Sequence, residues 1–287
     1  MDKSKEKLIS WLFETKAIRV CPQDRPFWYT SGTIGPYYIN THFLYGSEEK
    51  ANELLGLIDA EKQNLLQCPL KVLEATRANY GSDPIYKGLI DEMLGYIKNN
   101  MDLSSIGYIS GGERRDWFFS LLIAEMLDKP HLTIYKNLDC VVNYRGSVSP
   151  EAELEGKGVL HIADLITEAS SYERAWIPAV EKAGGNFKYS LVVVDRKQGG
   201  EELLGGKGIE SHSMVDISKD FFASVFALGI INEQQYRMIS EYIDNPKESM
   251  REFLMSHPEF LEAALAVGDR TSERARLCVE KNIYGLT

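Results

Sequence analysis

The spacing of apolar residues changes character twice along the chain. In the opening MDKSKEKLISWLFETKAI, Leu8, Trp11, Leu12 and Ile18 recur at helical spacing and predict an amphipathic helix. Pro22, Pro26 and Gly32 end that pattern. FWYTSGTIGPYYINTHFLYG mixes aromatics, Thr and Ile with SG and GP turn signals, and predicts a short β ribbon. SEEKANELLGLIDAEKQNLL begins with Ser47 ahead of two glutamates, a helix start. Asp83 and Pro84 open a further helix that continues through Ile97.

From Ile106 the texture is different. IGYIS, HLTIY, GVLHIA and YSLVVVD are short, continuous apolar runs, and GIESHSMVD follows as the last strand. Helical segments, FFSLLIAEML and SYERAWIPAVEKAGG, lie between them. Alternating strands and helices imply βαβ units. Strands apolar on both faces imply a mostly parallel sheet covered by helices. After Lys219 the strands stop. FFASVFALGI, EQQYRMISEYI, KESMREFLM and PEFLEAALAV read as short helices. The pattern thus predicts an α/β domain over 1–219 and a helical C-terminal extension over 220–287.

Composition narrows the function classes. Hydrophobic residues make up 44% of the 287 residues and charged residues 26%, an ordinary globular balance. A formal net charge of -10 argues against a broad nucleic-acid footprint, which needs a basic face. The opening helix is interrupted by Glu14 and Lys16 and does not read as a signal peptide, and no apolar run reaches membrane-spanning length. Cys21, Cys68, Cys140 and Cys278 are scattered without CxxC spacing, so neither disulfides nor a zinc site is expected, and a reducing cytoplasm fits. The five histidines show no metal-ligand spacing, and His161, inside a strand, reads as a core or wall residue. GxSxG, GxGxxG and Walker loops are absent.

In a parallel sheet, ligands gather at the carboxyl ends of strands. Three such ends carry suggestive residues. In ISGGERRDWFF, Gly111 and Gly112 would let backbone amides approach a ligand, and Arg114 and Arg115 open the next helix, where anions are favoured. A glycine turn with a solvated charge cluster reads equally well. In HIADLITEASS, Asp164 ends a strand, and Thr167, Ser170 and Ser171 offer hydroxyls beside a helix start. Those groups suit a ribose phosphate; helix capping accounts for the hydroxyls as simply. In VVVDRKQGGEELLGG, Arg196 could grip a carboxylate bidentately or form a surface ion pair.

The order of these segments resembles the orotate phosphoribosyltransferases of the type I phosphoribosyltransferase fold. The resemblance covers roughly 27–216 and rests on SGTIGPYYIN, YISGG, VLHIADLITEASS and VVVDRKQGGEELLGGKGIES. It implies a mostly parallel sheet flanked by helices, an N-terminal hood segment, and transfer of phosphoribose between phosphoribosyl pyrophosphate (PRPP) and a pyrimidine or related base. Mg²⁺ would arrive with the diphosphate, and a homodimer is implied. Carried over, Asp164 would hold ribose hydroxyls; Thr167 would lie beside base and phosphate; Ser170 and Ser171, with the loop amides, would hold the 5′-phosphate; Lys136, Gly111 and Gly112 the diphosphate; Arg196 the base's carboxylate. Tyr37 and Tyr38 would line the base.

The sequence also departs from that family. Ala163 stands where the first acid belongs, Ala169 where a glycine belongs, and Thr30 where a lysine usually precedes SG. The segment matching the mobile catalytic loop, NLDCVVNYRGSVSPEAELEGKG, offers Arg145 as its one arginine and no Lys or His before it. Arg114 and Arg115 are candidate substitutes for the missing charge. These departures keep a second reading open: a non-catalytic PRPP- or nucleotide-binding regulator or scaffold.

Overall fold

The buried apolar runs from Ile106 onward become the strands of one seven-stranded sheet. They are β1 (Ile106–Gly112), β2 (His131–Ile134), β3 (Cys140–Tyr144), β4 (Ser147–Ser149), β5 (Gly158–Ile166), β6 (Asn186–Asp195) and β7 (Glu210–Asp216). Their spatial order is β7-β6-β5-β1-β2-β3-β4. Pairing is parallel from β7 through β2 and antiparallel where β3 and β4 extend the edge. The sheet is therefore mostly parallel, as the continuous apolar strands imply. Its register sets Ser110 opposite His161 and Asp195 opposite Ile166, so the carboxyl ends of β1, β5 and β6 share one rim.

This computed structural model describes residues 3–22, 25–150 and 152–286. They form two compact units. One holds the chain up to Ala17 together with Asn40–Ile217; the other holds Ile18–Ile39 together with the chain from Ser218 on. The units do not follow the expected 1–219 and 220–287 division. The reason is the N-terminal ribbon, whose partners are C-terminal helices.

In the sheet unit the helices are α1 (Lys3–Glu14), α2 (Glu48–Glu61), α3 (Cys68–Ser82), α4 (Pro84–Asn100), α5 (Trp117–Met126), α6 (Ile177–Lys182) and α7 (Gly200–Gly206). Ser47 caps α2 by accepting the Lys50 N–H, and Asp83 caps α4 by accepting those of Ile85 and Tyr86, as their positions predict. Helix α5 is buried without a break from Trp117 to Ala124, the mark of a helix enclosed on all sides. On the other side of the sheet, Val159, Ala163, Tyr172, Trp176, Val180 and Val192 belong to one apolar cluster.

Two elements escape the apolar pattern. Helix α3 buries Thr76 and Asn79 beside Val72 and Leu73, so polar residues interrupt its inner face. The β3–β4 hairpin turns at Arg145 and Gly146, with φ of 49° and 81°. Two left-handed residues in succession are what a two-residue type I′ turn requires.

In the second unit, Ile18–Val20 pairs antiparallel with Tyr37–Ile39, and Phe27–Trp28 with Ile34–Gly35, giving the predicted ribbon. Five helices accompany it: α8 (Lys219–Ala227), α9 (Glu233–Asp244), α10 (Pro246–Ser256), α11 (Pro258–Ala266) and α12 (Arg270–Glu280). Trp28 stacks on Phe260, and Tyr37 packs against Phe222 and Tyr242. Arg274 donates to the Trp28 carbonyl at 2.7 Å, and Gln235 to that of Cys21 at 2.9 Å. Among the described residues no helix is long and apolar enough to cross a membrane. All four cysteines are free thiols.

Candidate active site

A cleft of about 380 Å³ opens at the carboxyl ends of β1 and β5. Its walls are Glu113–Asp116, from the turn between β1 and α5, and Ala163–Tyr172 with Trp176. The structure thus brings together Arg114, Arg115, Asp164, Thr167, Ser170 and Ser171.

The turn after β5 is the open side. Thr167 is half-buried, and Ser170 and Ser171 are exposed. Arg174 folds back to the Ser170 carbonyl and hydroxyl, at 3.1 and 3.3 Å. Ala169 has φ of 56°, so the position needs the left-handed conformation that favours glycine. An alanine there costs about 1–2 kcal/mol. In return the backbone turns sharply into the helical segment at Ser170, and the first N–H groups of a helix lack intrahelical partners and favour an anion.

The turn after β1 is closed. A Cβ at Gly111 would collide with the Ser120 side chain, and one at Gly112 with the Trp176 indole. Both glycines are therefore required by packing. The Gly112 N–H donates to Asp116 Oδ2 at 2.9 Å, and the Glu113 N–H to the Ile134 carbonyl at 2.8 Å. In this structure the Gly112 amide is thus held internally rather than turned to the cleft. A cis peptide joins Glu113 and Arg114. Arg114 forms an ion pair with Asp59 on α2, and Arg115 is exposed on the cleft wall.

Asp164 is 9% exposed and Asp116 6%. The Asp164 N–H donates to Asp116 Oδ1 at 3.1 Å. Burial, reinforced by the neighbouring charge of Asp116, pushes the Asp164 carboxyl up to about 7, and Arg115 opposes the shift. Behind them His161 is fully buried. Its Nδ1 lies 2.9 Å from the Ser110 hydroxyl and its Nε2 3.5 Å from Asp116 Oδ2. His161 is a wall residue, as its strand position predicts.

Two more of the singled-out residues adjoin the cleft. Lys136, exposed at the end of β2, donates its N–H to Glu113 Oε2 at 3.0 Å. Arg196, at the end of β6, donates its N–H to the Ile166 carbonyl at 3.0 Å, next to Thr167. Its Nε is buried without a hydrogen-bond partner. Arg145 lies apart from the cleft, at the β3–β4 turn, where it pairs with Asp128 at 2.6 Å. Tyr37 and Tyr38 belong to the second unit, where the Tyr38 hydroxyl donates to the Trp28 carbonyl at 2.6 Å.

Sequence reasoning passed over Asp116, Glu113 and Trp176. Asp116 directly precedes α5 and reads as a cap, yet its side chain makes no capping bond and turns to β1 and β5 instead. The cleft wall carries Glu113, Asp116, Asp164 and Glu168 against Arg114 and Arg115. The wall side chains thus bring no excess of positive charge. The described residues hold no cluster of three or more His, Cys, Asp or Glu suited to a metal.

No protein-family model matches the chain. It is 33% identical over 93 residues to the orotate phosphoribosyltransferase of Sulfolobus acidocaldarius, covering 32% of this chain and 46% of that protein. It is 33% identical over 100 residues to that of Staphylothermus marinus, covering 34% and 48%. The matched stretches thus span about half the length of these curated relatives. Among solved structures, Leishmania donovani UMP synthase aligns with a TM-score of 0.55 at 16% identity, over 84% of this chain and 41% of that one. Francisella tularensis orotate phosphoribosyltransferase aligns with a TM-score of 0.52 at 14% identity, over 82% and 96%.

Proposed function

We propose that this chain, which is orotate phosphoribosyltransferase-like in sequence and has the type I phosphoribosyltransferase fold, transfers phosphoribose between PRPP and a pyrimidine or related base. The observation that carries the reading is the convergence of Asp164, Thr167, Ser170 and Ser171 on one cleft beside a left-handed turn and a helix start.

In the reaction a base nitrogen forms a bond to the anomeric carbon while the bond to diphosphate breaks. The bonding pair leaves with the diphosphate, and the sugar becomes cation-like. Thr167, Ser170, Ser171 and the backbone amides of their turn bind the 5′-phosphate. Asp164 accepts from the ribose hydroxyls and, when ionised, stabilises the developing positive charge. Arg115 and Lys136 supply positive charge to the leaving diphosphate, with Arg114 once it parts from Asp59. Arg145 joins them only if it leaves Asp128. Arg196, whose backbone N–H bonds the Ile166 carbonyl and whose Nε has no partner, meets the base's carboxylate. Gly111 and Gly112 make room for Ser120 and Trp176 and so shape the end of β1 beside the cleft.

Mg²⁺ would arrive with the diphosphate and neutralise charge on the leaving group; of the cleft's side chains, Glu113 offers the hard carboxylate oxygens that suit it. The assembly proposed is a homodimer in the cytoplasm, the first part checked by sedimentation of the purified chain.

Phosphorus NMR of PRPP with Mg²⁺, the full chain and a panel of bases including orotate tests the reading. Base-dependent release of pyrophosphate supports it and identifies the base. Binding of PRPP without release under the whole panel replaces transfer with a regulatory, non-catalytic role.

A further inference from the structure

Ala163 lines the cleft with a methyl group, yet the cleft is not short of a carboxylate at that place. Asp116 reaches it from the turn before α5. Its Oδ1 accepts the Asp164 N–H at 3.1 Å and its Oδ2 the Gly112 N–H at 2.9 Å. Those two bonds fix the carboxylate between the ends of β1 and β5. A carboxylate has about four lone-pair sites. Each oxygen of Asp116 therefore retains acceptor capacity after its backbone bond.

We propose that Asp116 is a substrate-binding residue that replaces the acid absent at Ala163, so that a ribose diol is held between Asp116 and Asp164. The inference rests on the reading of the cleft as a ribose-phosphate site. Three observations carry it. Both carboxylates line the same cleft, and both are more than nine-tenths buried. Burying two adjacent carboxylates is costly unless donors meet them. A vicinal diol brings two O–H donors, one for each acid. His161, fully buried, stands 3.5 Å behind Asp116 with no hydrogen-bond partner at Nε2. At that distance it makes no hydrogen bond to Asp116, so a close donor to the carboxylate has to come from the cleft. The ligand class is a ribofuranose 5-phosphate with both hydroxyls present.

The test is calorimetric titration of the full chain with ribose 5-phosphate, 2,3-dideoxyribose 5-phosphate and inorganic phosphate. Asp116→Asn is expected to weaken ribose 5-phosphate by about ten-fold or more, the worth of a hydrogen bond to a charged group. Affinity for the dideoxy sugar and for phosphate should stay within about two-fold, which separates loss of a hydroxyl contact from general damage. The double variant Asp116→Ala/Ala163→Asp, which moves the acid back, should recover selectivity for the diol. Equal weakening of both sugars, or unchanged preference for ribose, overturns the assignment of Asp116. If the wild-type chain binds neither sugar phosphate nor phosphate, the ribose-phosphate reading itself falls and this inference with it. If Asp116→Asn does not fold, Ala163→Asp alone decides. With Asp116 already in place a third acid brings no gain, whereas a ten-fold gain in ribose affinity would mark the position as empty.

Discussion

The indole of Trp176 lies against the backbone of Gly112, so closely that no side chain fits between them. This contact joins the helical segment after the turn at Ala169 to the end of β1. Gly112→Ala should cost about 1–3 kcal/mol, the usual penalty of overpacking. The penalty should shrink in a Trp176→Leu background. A double-mutant cycle by urea unfolding measures the coupling, and strictly additive costs would contradict the contact.

Ala169 tests the left-handed turn. Replacement by glycine relieves about 1–2 kcal/mol of backbone strain. It also loses a buried methyl, about 0.8 kcal/mol, and frees the unfolded chain by about 0.4–1 kcal/mol. The terms nearly cancel, so Ala169→Gly should change stability by less than about 1 kcal/mol. Ala169→Val, β-branched at positive φ, should lose at least about 2 kcal/mol. Thermal unfolding of the two variants separates strain from simple side-chain size.

His131 sets the acid limit of the sheet unit. It is buried between the Thr133 hydroxyl at 2.8 Å and the Ser120 hydroxyl at 2.9 Å. Burial lowers its pKa from 6.5 to about 3. His42 is lowered to about 3 as well, by burial and then by Arg115 and Arg114. Above pH 6.5 both are neutral in either state, and their contribution is fully present. As pH falls through the window from 6.5 to 3, the unfolded chain takes up protons that the folded chain refuses, and stability drops. Each histidine contributes a slope of at most about 1.4 kcal/mol per pH unit. Asp164, raised toward neutrality, acts in the opposite sense, its cost growing as pH climbs from about 4 to about 7. Urea titrations at pH 7 and 5 should show a flatter dependence for His131→Gln than for the wild type. An unchanged slope would remove His131 from this account.

In the second unit, the buried hydroxyl of Tyr284 accepts the Ile34 N–H at 2.8 Å. Tyr284→Phe strands that amide and should cost about 1–3 kcal/mol. Hydrogen exchange at Ile34 should accelerate in the variant. Unaltered exchange would show that the bond does not hold the ribbon.

The sheet was legible because its strands are apolar on both faces and separated by clear helical segments. Asp164, Thr167, Ser170 and Ser171 were legible because they end one such strand together. Helix α3 was not, since Thr76 and Asn79 sit on its inner face. The β3–β4 hairpin was hidden because its turn is Arg145-Gly146, and an arginine does not announce a left-handed residue as asparagine or aspartate would. Asp116 was missed because its partners, Gly112 and Asp164, are backbone amides, one of them distant in sequence. No side-chain pattern marks such a bond.

The pairing of Ile34 with Tyr284 also orders events in time. The ribbon Ile18–Ile39, with Trp28, Tyr29, Tyr37 and Tyr38 among its residues, leaves the ribosome before the helices it pairs with. Its partners Phe222, Phe260 and Tyr284 are synthesised much later. At about 5–20 residues per second, the aromatic ribbon waits on the order of ten to fifty seconds for them. The sheet unit meets no such delay between its own strands. During biosynthesis the chain therefore carries a sticky, unpartnered segment for that interval, and a chaperone that shields aromatic surface would act there.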